Sequence, residues 1–311
     1  MESRSEDKLQ KPYQPRVAFE PVSCQLGGLR YAVKRWGAAA GRPVWLLHGW
    51  MDCAATFQFL VDALPADWLA EHSLFAPDWR GFGDSQWNAE GYYFPDYLAD
   101  LELLLDHFSP AGPVALVGHS MGGMVAGLYA GIRPERVSRL VSLEGFGLPA
   151  TQPEQAVERY GRWLTQRREA LTTRPFASLD EVAERLRRNN SMLDQARALW
   201  LAPFLAAETE PGHWVYRADP KHRWVNPVLY RLEEAMACWR ACRAATLWLA
   251  GDEAKLLSWL KLTPEQFAER QAAFSGLRYQ VLPGCGHNLH HDNPAAVATA
   301  LVEFWRETTA D

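Results

Sequence analysis

The chain has 311 residues, of which 48% are hydrophobic and 22% charged, which is enough apolar material for a large buried core. Its net charge of −5 comes without any basic block, which excludes nucleic acid as its main partner. No apolar run reaches the roughly 18 residues of a membrane span, and the opening Met1-Glu2-Ser3-Arg4-Ser5-Glu6-Asp7-Lys8 has no secretory h-region, so a cytoplasmic setting is expected.

Residues 1–16 are polar and carry Pro12 and Pro15, which reads as a disordered or loosely attached tail. Strands are predicted over 17–22, 29–36, 44–47, 73–76, 114–117 and 137–143, and after a long gap over 246–250 and 278–282. Apolar residues at three-to-four spacing predict helices over 56–64, 96–108, 122–131 and 294–305. Strands alternating with helices give an α/β fold: a mostly parallel eight-stranded sheet, covered on both faces, that begins with an antiparallel meander.

The alternation breaks after residue 145. Ser178-Leu179-Asp180-Glu181 forms a capping box that opens a helix ending near Asn189 and Asn190. Residues 214–224, followed by Asn226 and Pro227, read as a loop or short hairpin before one more helix. The expected organisation is a tail over 1–16, a core over 17–145 and 244–311, and a helical cap over 146–243 inserted after the sixth strand. Arg167-Arg168 and Arg187-Arg188 fall on its helices as solvated faces.

The pentapeptide Gly118-His119-Ser120-Met121-Gly122 lies between the apolar run 114–117 and the helical pattern that follows it. A G-x-S-x-G turn between strand and helix is a nucleophile elbow, with glycines where the two backbones pass each other. The Met121 amide, at the helix opening, faces an oxygen bound beside Ser120, and the helix dipole assists. A serine hydroxyl needs a base. Among nine histidines, His287 in Gly284-Cys285-Gly286-His287 follows the last predicted strand and can reach over the elbow. His290 and His291 read as local packing residues. His48, in the run Leu46-Leu47-His48-Gly49-Trp50-Met51-Asp52, shapes a loop in which the Trp50 amide is the second oxyanion donor.

The imidazole needs a carboxylate to orient it. Glu144 ends the sixth predicted strand, and Asp252 and Glu253 follow the seventh. Strand ends on one edge of a parallel sheet deliver side chains to one crevice, so residues alone leave both positions open. Asp78 and Asp84, in Asp78-Trp79-Arg80-Gly81-Phe82-Gly83-Asp84-Ser85, read as a structured turn bordering the site, with Arg80 paired to a carboxylate. Cys24, Cys53, Cys238, Cys242 and Cys285 are odd in number and lack metal-site spacing, so no metal or cofactor site is expected and a reduced compartment is.

Together these motifs resemble the α/β-hydrolase superfamily. The matching elements run in the family's order: His48-Gly49-Trp50, then 78–85, then Gly118-His119-Ser120-Met121-Gly122-Gly123, then Gly286-His287. Within it the chain is similar to the capped esterase and dehalogenase-type branch, especially serine-hydrolase-like proteins, whose cap carries a segment like 214–220. The chain departs from the commonest pattern at Ala254, where the family usually has its acid. Haloalkane dehalogenase-like members take theirs 24 residues after the nucleophile, which here is Glu144, so the resemblance favours Glu144 over Asp252. Serine in place of the aspartate nucleophile of dehalogenases and epoxide hydrolases argues for an acyl-enzyme route rather than an alkyl-enzyme.

The expected partner is a small ester-like molecule, and the expected activity that of a carboxylic-ester hydrolase. Two rivals stand beside it: an amide or C–C bond hydrolase on the same triad, and a non-catalytic binding member, suggested by Ala254. Trp163, Trp200, Trp214, Trp224 and Trp239 fall in the cap, and each is read first as an anchor and second as pocket lining for an apolar or aromatic group. The sequence sets no oligomeric state.

Overall fold

The computed structural model describes residues 11–171 and 173–308. Ten strands occur in chain order: β1 (Glu20–Leu26), β2 (Leu29–Gly37), β3 (Arg42–Leu47), β4 (His72–Pro77), β5 (Val114–His119), β6 (Val137–Leu143), β7 (Ala206–Glu210), β8 (His213–Tyr216), β9 (Ala245–Gly251) and β10 (Arg278–Leu282). Eight of them form one sheet in the order β1-β2-β4-β3-β5-β6-β9-β10, while β7 and β8 pair separately as a hairpin. Strand β2 runs antiparallel to both β1 and β4, and every pair from β4 to β10 is parallel. This is the mostly parallel α/β sheet expected from the alternation of strands and helices.

The central strands explain themselves. All six residues of β5 are buried, as a parallel strand covered on both faces requires, and its sequence is correspondingly apolar up to Gly118. On one face the helices Phe94–Phe108, Met121–Ile132, Leu232–Ala241 and Pro264–Ala272 bury Leu101, Leu105, Val125, Tyr129, Trp239 and Phe267 against Trp45 and Trp248. On the other face Gln58–Ala63, Ala66–Glu71 and Pro294–Glu307 bury Leu60, Val61, Trp68, Val297 and Leu301 against Leu46 and Leu247. Full burial of each such aliphatic side chain contributes about 1.5–3 kcal/mol.

The first strand lies at Glu20–Leu26 rather than 17–22. Gly27 and Gly28, both at positive φ (55° and 81°), make the two-residue turn to β2, and pairing counted back from Leu26↔Leu29 reaches Glu20↔Arg35. Val17 and Phe19 instead pack on the face holding Trp36. Of the expected loose tail, residues 1–10 lie outside the described residues. From Tyr13 the chain is tied down: its N–H donates to the Ala196 carbonyl (2.9 Å) and its hydroxyl to Asp62 (2.7 Å). Arg16 donates to the Leu64 carbonyl (2.6 Å).

Between β6 and β9 the chain leaves the sheet. Helix Leu179–Asn189 starts as its capping signal requires: Ser178 Oγ accepts from the Glu181 N–H (3.2 Å), and the Glu181 carboxylate accepts from the Ala177 N–H (2.7 Å). Helix Gln195–Leu205 packs beside it, burying Val182, Ala183, Leu201 and Leu205 over Cys53, Ala55 and Phe59. The excursion is not purely helical, since it contains the β7–β8 hairpin. Its last helix, Leu232–Ala241, lies against core helix Met121–Ile132 so closely that a side chain at Gly131 would collide with the Cys238 carbonyl. That helix belongs to the layer covering the sheet, so the segment standing apart from the core ends before residue 232.

Candidate active site

Strand β5 ends at His119, and the chain turns at once into helix Met121–Ile132 with Ser120 at φ 50°, ψ −115°. A non-glycine residue held there stores of the order of 1–3 kcal/mol. The turn is held by the Ser120 N–H donating to the Leu143 carbonyl (2.9 Å) and by its own carbonyl accepting from Met124 (3.0 Å). A Cβ on Gly118 would strike the Gly122 backbone, and one on Gly122 would strike the Leu47 carbonyl. The glycine spacing therefore follows from the approach of β3 and the helix to the same turn.

The turn carries Ser120 Oγ to 3.0 Å from His287 Nε2. His287 sits in the loop after β10, half-exposed. Its Nδ1 lies 3.6 Å from Glu144 Oε2, and the Glu144 side chain is only 1% exposed. Glu144 is fixed in turn: its Oε1 accepts from the Gly251 N–H (2.8 Å) and its N–H donates to the Leu249 carbonyl (3.0 Å), so β9 positions the carboxylate that follows β6.

Asp252 is elsewhere. Exposed, it turns its carboxylate to the Cys285 N–H (3.1 Å), and this and the Gly284 N–H hold it below the ordinary carboxylate range. It braces the turn that leads to His287 without facing the imidazole. Among the described residues, neither the Trp50 nor the Met121 N–H donates to a protein acceptor. Both flank the serine: Met121 is the next residue, and a Cβ on Gly49 would sit 3.3 Å from Ser120 Cβ.

The α/β-hydrolase-fold family model matches residues 42–294, well over half the chain. The chain belongs to the α/β-hydrolase family. It is 27% identical over 290 residues to a serine hydrolase-like protein of Danio rerio, covering 89% of this chain and 85% of that one. A serine hydrolase-like protein of Dictyostelium discoideum is 25% identical, with 93% and 82% covered. Among solved structures, a thioesterase domain from the curacin biosynthetic pathway superposes with a TM-score of 0.82 at 25% identity, covering 92% of this chain and 99% of that one.

Around the elbow of this α/β-hydrolase, His48 is a loop-builder. Its Nδ1–H donates to the Gly49 carbonyl (2.7 Å) and its Nε2 accepts from the Trp79 N–H (3.0 Å). Burial pushes its pKa down to about 4, which keeps it neutral. Asp78 holds the neighbouring turn by accepting from the Ala54 and Asp84 N–H groups (2.6 and 2.9 Å). Arg80 pairs with Asp100 through Nε (2.7 Å) and Nη2, as the sequence suggested, while Tyr31 also donates to Asp100 (2.5 Å).

The tryptophans mostly anchor. Trp200 packs on Phe59 and Phe204, and Trp214 pairs by backbone with Phe176. The Arg167 guanidinium lies over both Trp163 and Trp224 (5.2 and 5.5 Å), so this arginine is part of a packed stack rather than a freely solvated face. Trp239 is the exception, since it lines a mainly apolar cavity of about 320 Å³ together with Met124, Leu128, Gly147, Leu148 and Tyr230. Ser120, His287 and Glu144 do not line that cavity, but Met124, one helical turn past the serine, does. The sequence reading assigned no role to His119, whose Nε2–H donates to the His287 carbonyl (2.9 Å) and ties the elbow to the loop that carries His287. Its place beside Ser120 in the pentapeptide was the available signal.

Proposed function

We propose that this serine hydrolase-like protein works through an acyl-enzyme on a small carboxylic ester with an apolar or aromatic group. The observation that carries the reading is the 3.0 Å approach of His287 Nε2 to Ser120 Oγ at a strained elbow. His287 takes the Ser120 proton as Oγ attacks the acyl carbon, and the Trp50 and Met121 amides receive the oxyanion. Collapse expels the alcohol, which takes the proton from His287. Water, deprotonated by the same imidazole, then opens the ester on Ser120 and releases the acid. Glu144 holds Nδ1–H and stabilises the imidazolium. Its 3.6 Å separation closes as positive charge develops on the ring.

An apolar substrate group is supported by the cavity whose wall Met124 forms one turn from the nucleophile. The likeness to a thioesterase domain adds acyl thioesters as candidate substrates, since the same tetrahedral chemistry serves both. Five free thiols among the described residues support a reducing, cytoplasmic setting. The test is a panel of p-nitrophenyl esters of graded chain length, acyl thioesters, matched amides and diketones. Turnover of esters, rising with apolar acyl size and abolished in Ser120→Ala, is expected. Turnover of amides or diketones alone would replace this reading.

A further inference from the structure

Beside the elbow, three segments bring together Asp52, His119 and His290, whose potential ligand atoms all lie within 4.8 Å of one another. His119 and His290 are almost fully buried, at 3% and 0% exposure, and Asp52 is half-buried at the edge. His119 Nδ1 and His290 Nδ1 have no hydrogen-bond partner among the described residues. Buried polar atoms are seldom left so.

The hydrogen bonds around them limit which forms these nitrogens take. His119 Nε2 faces a carbonyl oxygen, which only accepts, so the ring's hydrogen is on Nε2 and Nδ1 is a bare lone pair. Thr56 Oγ1 lies 3.0 Å from His290 Nε2 and also beside His291 Nε2, and its one hydroxyl hydrogen can serve only one of the two rings. With that hydrogen on His291, the oxygen accepts from His290 Nε2–H and His290 Nδ1 is bare as well. Two imidazoles, each with an unpartnered buried nitrogen, and a carboxylate thus share one cluster. A water molecule that donated both hydrogens to the nitrogens would turn its own lone pairs on the carboxylate. A cation accepts from all three.

We propose that Asp52, His119 and His290 bind a single divalent transition cation of the Zn²⁺, Co²⁺ or Ni²⁺ class. Two imidazoles and one carboxylate suit such borderline ions better than Mg²⁺ or Ca²⁺, which prefer oxygen ligands. The outer contacts are of the kind that orient metal ligands: the His119 Nε2–H donates to the His287 carbonyl, and His290 Nε2 is hydrogen-bonded to Thr56. The bound cation clamps the loop after β3, the elbow and the segment after β10, which carries His287. It stands outside the acyl-transfer steps, since the hydrogen bond from His119 goes to the His287 carbonyl and the two rings otherwise only pack, at 4.9 Å between centroids.

Chelator-treated protein titrated with Co²⁺, followed by visible ligand-field absorption and calorimetry, tests the site independently of turnover. One Co²⁺ per chain with a nitrogen- and oxygen-ligand spectrum is expected, together with a raised Tm. Binding should weaken by more than about tenfold in both Asp52→Asn and His290→Gln, and stay unchanged in the exposed-surface control His213→Ala. If His290→Gln fails to fold, Asp52→Asn at the edge of the cluster decides the matter. Absence of stoichiometric binding, or binding that neither substitution weakens, overturns the proposal and leaves the cluster to a buried water.

Discussion

Glu144 faces His287 with one carboxylate oxygen and the Gly251 N–H with the other, at 3.6 and 2.8 Å. A side chain pinned at one oxygen and aimed with the other can orient the imidazole. Replacing Glu144 by Gln keeps the shape but removes the charge, and lets the amide present the wrong group to Nδ1–H. In a serine protease triad the equivalent loss costs about 10⁴ in kcat. Glu144→Gln is expected to lose several orders of magnitude in kcat on any turned-over ester, with little change in KM. Asp252→Asn still offers a carbonyl oxygen to the Cys285 N–H, so its kcat should stay near wild type. The reverse pattern would move the acid to Asp252.

Two glycine substitutions should act in opposite directions. Gly122→Ala drives a methyl group into the Leu47 carbonyl, where both partners are backbone and neither can yield. Overpacking of this kind costs about 1–3 kcal/mol or more, and it also displaces Ser120. Gly161 lies exposed in helix Gln155–Gln166, with nothing near the position of a Cβ. There Gly→Ala should stabilise by about 0.5–1 kcal/mol through backbone entropy. Thermal melts of the two variants check both signs.

Acid should unfold the protein early. Burial lowers His48 to about 4 and His222 and His291 to about 3, and holds His119 and His290 well below 6.5. Below pH 6.5 the unfolded chain takes up protons at these sites that the native state refuses, so stability falls with pH down to the folded values. Asp52, which desolvation pushes up to about 7, works the other way between there and its ordinary 3.8. His72 joins the lowered histidines, while burial raises Asp100 and Asp292 as it does Asp52, so six sites oppose three. The net effect is a loss of stability as the pH falls below 6.5. Circular dichroism against pH should place the acid midpoint of His222→Gln at a lower pH than that of the wild type. An unchanged midpoint would contradict the assignment of His222 as neutral in the folded state.

Much of this was legible in the sequence for a physical reason. The elbow, its glycines and the buried β5 are contiguous, so local spacing carries them. The first strand was misplaced because its register is set by the Gly27-Gly28 turn rather than by Val17 and Phe19, which are apolar for a different face. The helix Leu232–Ala241 was grouped with the inserted segment because only its contact with Gly127 and Gly131 reveals it as part of the core layer. Residues alone left the acid open between Glu144 and Asp252 because both follow parallel strands, and the family resemblance favoured Glu144; in the fold it is Glu144 that faces His287. The cluster around Thr56 was invisible for another reason, since its partner His290 lies 234 residues away.

The most direct measurement is labelling with a fluorophosphonate probe, followed by mass mapping of the modified residue. The account predicts stoichiometric labelling of native protein at Ser120, slowed strongly in Glu144→Gln and absent in Ser120→Ala. No label on native protein, or equal labelling of Ser120→Ala, would contradict it.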